Sequence, residues 1–269
     1  MEISPFLSEQ IYGQITVSSF NALPYPEKSA IFRDAKTFRL AVDPDFRLGA
    51  FVPAPVDKEI DSPSHWNRRY LENSDETLAW TEGAYSLSLK WITQTISSHT
   101  ASIVDVGAGR SLLLPTLLIN GYENLTHVEW SETTSQHLRS KLGRQASDIK
   151  WFIGDLCDWQ PDEAIDLWHD RAVFHFQTDF KSINNYLRSL HRNVRSGGYV
   201  LLSTFHLNGP ETCSDLLITR YGVSSLLSTL RSFDGSNWDE INSKVYWHYS
   251  PTGVQQKFQY VLVQRQKVS

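Results

Sequence analysis

The chain has 269 residues, 41% hydrophobic and 20% charged, an ordinary globular balance with enough length for one good-sized α/β domain plus an added segment. A net charge of −5 leaves no global basic field, which disfavours nucleic acid as the main partner. Cys157 and Cys213 are too few for a disulfide framework, no apolar run approaches the ~20 residues of a bilayer span, and the N-terminus lacks the basic-then-apolar form of a signal peptide. The expectation is a reduced, cytoplasmic protein without membrane contact.

Residues 1–60 carry prolines at 5, 24, 26, 44, 53 and 55, interleaved with Phe6, Phe20, Phe32, Phe38, Phe46 and Phe51. Prolines at this density disfavour long helices, whereas the aromatics need a surface to pack on, so this stretch reads as an irregular extension, a lid or arm over a domain spanning 61–269. From Ser64 the pattern turns helical. HWNRRYLEN follows Ser64 as N-cap, and Glu82 to Ser97 places apolar residues at helical spacing. Tyr70 and Trp80 sit on this leading segment, where they read either as core aromatics or as flanks of a bound ligand.

Ile103 to Ser111, IVDVGAGRS, then gives a buried strand, an acidic residue and a glycine-rich turn before the helical LLLPTLLING. Gly107 and Gly109 permit a sharp turn and a close ligand approach. The third glycine of a dinucleotide fingerprint is missing, because Leu112 occupies its place. Asp105 at the strand end would repel a pyrophosphate but could pair with a cation such as the ammonium of S-adenosylmethionine (AdoMet). Leu125 to Glu129 is the second strand and Ser131 caps the helix after it. Glu129 stands twenty residues beyond Gly109, where an acid accepts from ribose hydroxyls, which suits NAD and AdoMet alike.

Lys150 to Ile153 reads as the third strand, ending at Gly154-Asp155-Leu156, where a carboxylate could accept from an adenine amino group. Ile165 to His169 is the fourth strand, and its exit DRAVFHF faces the crevice in which open α/β sheets bind ligands. A helix over Phe180 to Arg195, stopped by Gly197-Gly198, leads to a fifth strand, Tyr199 to Phe205. After a loop come a helix near Val223 to Phe233 and two strands, Glu240 to Tyr249 and Gln256 to Gln264, joined closely enough to form an antiparallel hairpin.

The motif D-x-G-x-G-x-[GS], with Glu129, Asp155 and HDRAVFHF in series, resembles the class I AdoMet-dependent methyltransferases. The likeness extends to small thiopurine-methyltransferase-like and protein-lysine-methyltransferase-like proteins and to a group of bacterial methyltransferases sharing Thr204-Phe205, Gly209-Pro210, Cys213-Ser214, Arg220-Tyr221, His248, Ser250-Pro251, Gly253, Gln256 and Phe258. It implies a Rossmann-like, doubly wound seven-stranded sheet with a C-terminal antiparallel hairpin. It also implies transfer of a methyl from AdoMet, leaving S-adenosylhomocysteine, to an N, O or S atom of a small molecule. The alternatives are a protein lysine or a non-catalytic AdoMet-binding module.

The cofactor-binding set on this resemblance is Asp105, Gly107, Gly109, Ser111, Glu129, Trp130, Asp155, Leu156, His169, Tyr70 and Trp80. A sulfonium is already an activated donor, so a base matters only where the acceptor must lose a proton. His175 and Asp170 are the catalytic candidates, with His175 reading equally as a core histidine. Arg171, Arg220, Tyr221 and His248 are the acceptor-binding candidates. The arginines could clamp a carboxylate bidentately or hold a structural acid. The histidines lack metal-ligand spacing, so no metal is expected.

Overall fold

The computed structural model describes residues 62–83, 86–233 and 238–266. The expected N-terminal extension lies outside the described residues. Helices α1 (Pro63–Glu72) and α2 (Leu87–Thr95) lead to β1 (Ile103–Val106), α3 (Leu113–Ile119), β2 (Leu125–Glu129), α4 (Glu132–Leu142), β3 (Ile149–Ile153) and β4 (Ile165–Arg171). Then follow α5 (Phe180–Asn193), β5 (Val194–Phe205), the short strands β6 (Thr212–Cys213) and β7 (Leu216–Leu217), α6 (Val223–Ser232), β8 (Trp238–Tyr249) and β9 (Gln255–Arg265).

The main sheet has seven strands in the order β3-β2-β1-β4-β5-β9-β8. β1 to β5 run parallel, and β9 lies antiparallel to both β5 and β8. This is the expected doubly wound sheet closed by a C-terminal hairpin. Successive residues alternate between its faces. Ile103, Leu167 and Leu201 join α2 and α3 in one core, while Val104, Trp168 and Leu202 join α5 and α6 in the other. The chain reverses its winding between β1 and β4, so their carboxyl ends open a crevice. Register sets those ends level, with Val106 opposite Val128 on one side and Asp170 on the other.

Three boundaries differ from the sequence expectation. Helix α1 is capped by Ser62, whose side chain accepts from His65 N, because Pro63 has no N–H to lose at the first helical position. Helix α2 starts only at Leu87, where Ser86 supplies the cap to Leu89 N. Gly197 and Gly198 do not stop a helix. They lie inside β5, where the register against β4 shifts between Ile165 and Leu167, and a Cβ on Gly198 would crowd the carbonyl oxygens of Arg195 and Ile165. The expected loop after β5 contains the β6–β7 hairpin, turned through Ser214 and Asp215 with φ of 50° and 65°. Among the described residues, no helix is long and apolar enough to cross a membrane.

Candidate active site

The turn after β1 is built from backbone geometry. Gly107 and Gly109 have φ of 59° and 54°, a region side chains rarely adopt. A Cβ on Gly107 would overlap Val173 Cγ2, and one on Gly109 would overlap the Tyr70 hydroxyl. The sharp turn expected of these glycines is present, and the nearest neighbours of a Cβ at either are Val173 and Tyr70, which wall the crevice. The turn is anchored to β2, since Gly107 N and Ala108 N both donate to Val128 O at 2.8 and 3.3 Å.

Glu129 ties the β1 and β2 exits together. Its Oε2 accepts from Gly109 N, and its Oε1 accepts from Trp130 N and Ser131 N, each at 2.8 Å. Burial raises its pKa, while the three backbone donors act in the opposite direction. Asp105 is buried on β1 beside its register partner His169 on β4. Its Oδ1 accepts from His169 Nδ1 at 2.6 Å, and His169 Nε2 lies 2.8 Å from Ser88 Oγ on α2. Asp105 Oδ2 is buried without a hydrogen-bond partner among the described residues.

The β4 exit is a tight turn organised by Asp170. This fully buried carboxylate accepts from Val173 N and Phe174 N at 2.9 and 3.0 Å and from the Tyr186 hydroxyl at 2.5 Å. Burial nevertheless pushes its pKa up to about 6. The turn forces Ala172 to φ 73°, an uncommon conformation for a residue with a Cβ. Arg171 leaves the turn toward the crevice and is held by the Trp80 carbonyl at 2.8 Å, the Tyr260 hydroxyl at 3.1 Å and the Glu82 carboxylate at 3.1 Å. Its guanidinium also lies 4.9 Å from the Phe258 ring centroid.

These elements enclose a cavity of about 420 Å³ at the exits of β1, β2, β3 and β4. One wall is aromatic. Trp66 meets Trp80 and Phe176 edge-on at centroid distances of 6.1 and 5.2 Å, and Tyr70 meets Trp80 at 6.0 Å. Asp155 closes the far end, its Oδ1 accepting from Cys157 N at 2.8 Å. A smaller hollow of about 70 Å³ adjoins it, lined by Asp105, Ser111, Glu82 and Arg171 among others.

Of the sequence-predicted residues, Tyr70, Trp80, Gly107, Glu129, Trp130, Asp155, Leu156 and Arg171 line the larger cavity. Asp105, Ser111 and His169 line the smaller hollow. Gly109 lies behind this surface, under Tyr70. The two catalytic candidates fall elsewhere. Asp170 spends its oxygens on the turn, and neither it nor His175 is among the cavity's lining residues. His175 is fully buried and stacked on Phe205 at 5.0 Å, with both ring nitrogens unpartnered among the described residues and a pKa driven down to about 3 by burial.

The remaining acceptor candidates also turn away. Arg220 donates to Gly209 O at 3.1 Å and pairs with Glu211 at 3.3 Å. Tyr221 is buried against Phe174, and His248 Nε2 donates to Ala79 O at 2.8 Å. Phe176 and Gln256 line the cavity without having been assigned there from sequence, and Cys213 lines it as well. Gln256 had a signal, its place in the terminal motif, but no chemistry that singled it out. The Cys213 thiol is pushed up to about 11 by burial and stays protonated at neutral pH. Among the described residues, no group of three or more His, Cys, Asp and Glu side chains is placed to hold a metal ion.

The architecture is that of the class I methyltransferases. Residues 104–202, from β1 into β5, match the methyltransferase-domain family. No curated protein matches the chain. Among solved structures, the chain is similar to 1,6-didemethyltoxoflavin-N1-methyltransferase of Burkholderia thailandensis, solved with 1,6-didemethyltoxoflavin and S-adenosylhomocysteine. The TM-score is 0.61 at 18% identity, covering 80% of this chain and 95% of that one. It is similar also to the N-methyltransferase NodS of Bradyrhizobium japonicum, solved with S-adenosylhomocysteine, with TM-score 0.57, 13% identity and coverage of 76% and 99%. A third is the glycopeptide N-methyltransferase MtfA in complex with AdoMet, with TM-score 0.51, 16% identity and coverage of 71% and 97%.

Proposed function

We propose that the protein is an AdoMet-dependent methyltransferase whose acceptor is a small molecule methylated on N, O or S. The observation that carries this reading is the placement of three carboxylates, Asp105, Glu129 and Asp155, at the exits of β1, β2 and β3 around one cavity system. Each fits a different part of the cofactor. Asp105 Oδ2, buried and unpartnered, suits the ammonium of the methionine portion. Glu129 retains one lone pair, on Oε2, for a ribose hydroxyl, and the exposed Asp155 faces the adenine end, with Trp130 and Leu156 supplying apolar walls. The sulfonium supplies the reactive methyl.

The chain's own residues hold, orient and exclude water. The aromatic wall of Trp66, Tyr70, Trp80 and Phe176 desolvates the crevice, and Arg171 fixes the Trp80 carbonyl and so the wall's position. The small-molecule acceptor is supported by the compounds for which the similar structures are named, 1,6-didemethyltoxoflavin and a glycopeptide. Calorimetric titration with S-adenosylhomocysteine and with NAD tests the cofactor reading. Micromolar binding of the former and none of the latter is expected, and preference for NAD would overturn it.

A further inference from the structure

A second, more open hollow of about 550 Å³ lies between the segment after α1, the residues leading into β6 and the β8–β9 hairpin. It shares Trp80, Cys213 and Gln256 with the cofactor cavity, so the two voids meet at these side chains. Its size is that of a small-molecule site. We infer that this hollow is the acceptor's binding site and that it selects a planar, anionic small molecule presenting an O–H or N–H donor toward Gln256. The inference rests on the methyltransferase reading.

Charge is the first argument. In a chain of net charge −5, the lining of this hollow contains Arg69 and Lys257 and no Asp or Glu. Asp215 does reach Arg69 Nη2 at 3.0 Å, but its side chain is 75% exposed, so solvent screens that pair. Arg69 Nε is buried with no hydrogen-bond partner among the described residues. The Lys257 ammonium lies 5.5 Å from the Trp247 ring centroid. A cationic acceptor such as a lysine side chain would meet two like charges here, whereas a carboxylate would meet two donors.

Unsatisfied polarity is the second argument. Gln256 Oε1 is also buried and unpartnered among the described residues, at the junction of the two voids. An unmade hydrogen bond of a buried group costs free energy that a ligand donor would recover. An acceptor with its anion at Arg69 and Lys257 and its O–H or N–H at Gln256 satisfies both ends, and Trp80 and Trp247 in the lining supply aromatic surface for a planar ring.

Matched probes separate the charge states: 4-hydroxyphenylacetate, tyramine and 4-ethylphenol are titrated into the full chain by calorimetry, with and without S-adenosylhomocysteine. The acid is expected to bind roughly ten-fold tighter than the amine, the scale of one charge-assisted hydrogen bond. Lys257→Glu should cancel or reverse that order and Lys257→Gln should weaken it, while S-adenosylhomocysteine affinity stays within a few-fold. No binding of the acid, equal or tighter binding of the amine, or an unchanged order in Lys257→Glu overturns the inference. Absence of S-adenosylhomocysteine binding to the unsubstituted chain overturns the cofactor reading instead, and the charge order is still read without it.

Discussion

Asp105 and His169 face each other across β1 and β4 with Oδ1 and Nδ1 2.6 Å apart, and the second imidazole nitrogen reaches Ser88 on α2. The pair joins the sheet centre to the leading helix and leaves one Asp105 oxygen free at the hollow. On the proposed cofactor reading, the structural pair and the ammonium therefore draw on different oxygens of one carboxylate. Ser88→Ala removes the outer hydrogen bond and is expected to lower stability by about 1–2 kcal/mol with little change in S-adenosylhomocysteine affinity. Asp105→Ala strips both contacts and is expected to lose about 3–5 kcal/mol, as for one partner removed from a buried pair, together with most cofactor binding. Urea denaturation and calorimetry read the two effects. If Ser88→Ala weakens binding as much as Asp105→Ala does, the division between the two oxygens is wrong.

The two glycines of the β1 turn make a separable prediction. Gly107→Ala would add a methyl against Val173 in a left-handed conformation that costs about 1–2 kcal/mol by itself. Val173→Ala should restore only the part due to the clash, leaving the backbone part. Gly109→Ala meets the Tyr70 hydroxyl, so Tyr70→Phe is its expected partial suppressor. Thermal melts of the two double mutants, each beside its single mutants, decide this. Purely additive losses would show that the side chains named here are not what the glycines accommodate.

The placement of the carboxylates proposed to hold the cofactor was legible because it follows from topology. Strand exits fall at the sheet's carboxyl edge whatever side chains do, so Asp105, Glu129 and Asp155 could be placed from chain order alone. The acceptor side depends on where individual side chains point. Trp247 and His248 are neighbours on β8, and Trp247 lines the open hollow while His248 spends its Nε2 on the Ala79 carbonyl. Nothing in the sequence marks which of the two does so. Gly197 and Gly198 misled for a related reason. A glycine pair after a helix normally signals its end, but α5 stops without them; inside β5, Gly197 takes φ 76° and Gly198 leaves room for the Arg195 and Ile165 carbonyls.

Asp170 gives a pH dependence with a definite sign. Its folded pKa of about 6 exceeds the ordinary 3.8, so the folded state binds this proton more tightly than the unfolded chain does. Its contribution to stability is therefore greatest below about pH 3.8, falls as pH rises toward 6, and is constant above. Asp170→Asn does not titrate and also loses an acceptor for the turn, a fixed penalty. Between pH 7 and pH 4.5 the stability of the unsubstituted chain should thus rise relative to Asp170→Asn. Urea midpoints across that range measure it, and a difference that is flat or shrinks on acidification contradicts the raised pKa.

His175 carries the opposite sign and settles whether a base is at work in this turn. Burial holds its pKa near 3 against an ordinary 6.5, so the folded state keeps it neutral while the unfolded chain takes up a proton as pH falls through 6.5. Stability from this group is present above 6.5 and is lost progressively toward pH 3. His175→Phe keeps a ring against Phe205 and removes two buried nitrogens that have no partner among the described residues. At neutral pH its stability is expected within about 1–3 kcal/mol of the original, the range set by the larger ring's fit. On acidification it should lose less stability than the unsubstituted chain. Because the imidazole does not line the cavity, kcat for whatever acceptor is found should stay within a few-fold. A fall of roughly 100-fold or more with S-adenosylhomocysteine affinity intact would instead identify His175 as a general base, and would require the β4 exit to open during turnover.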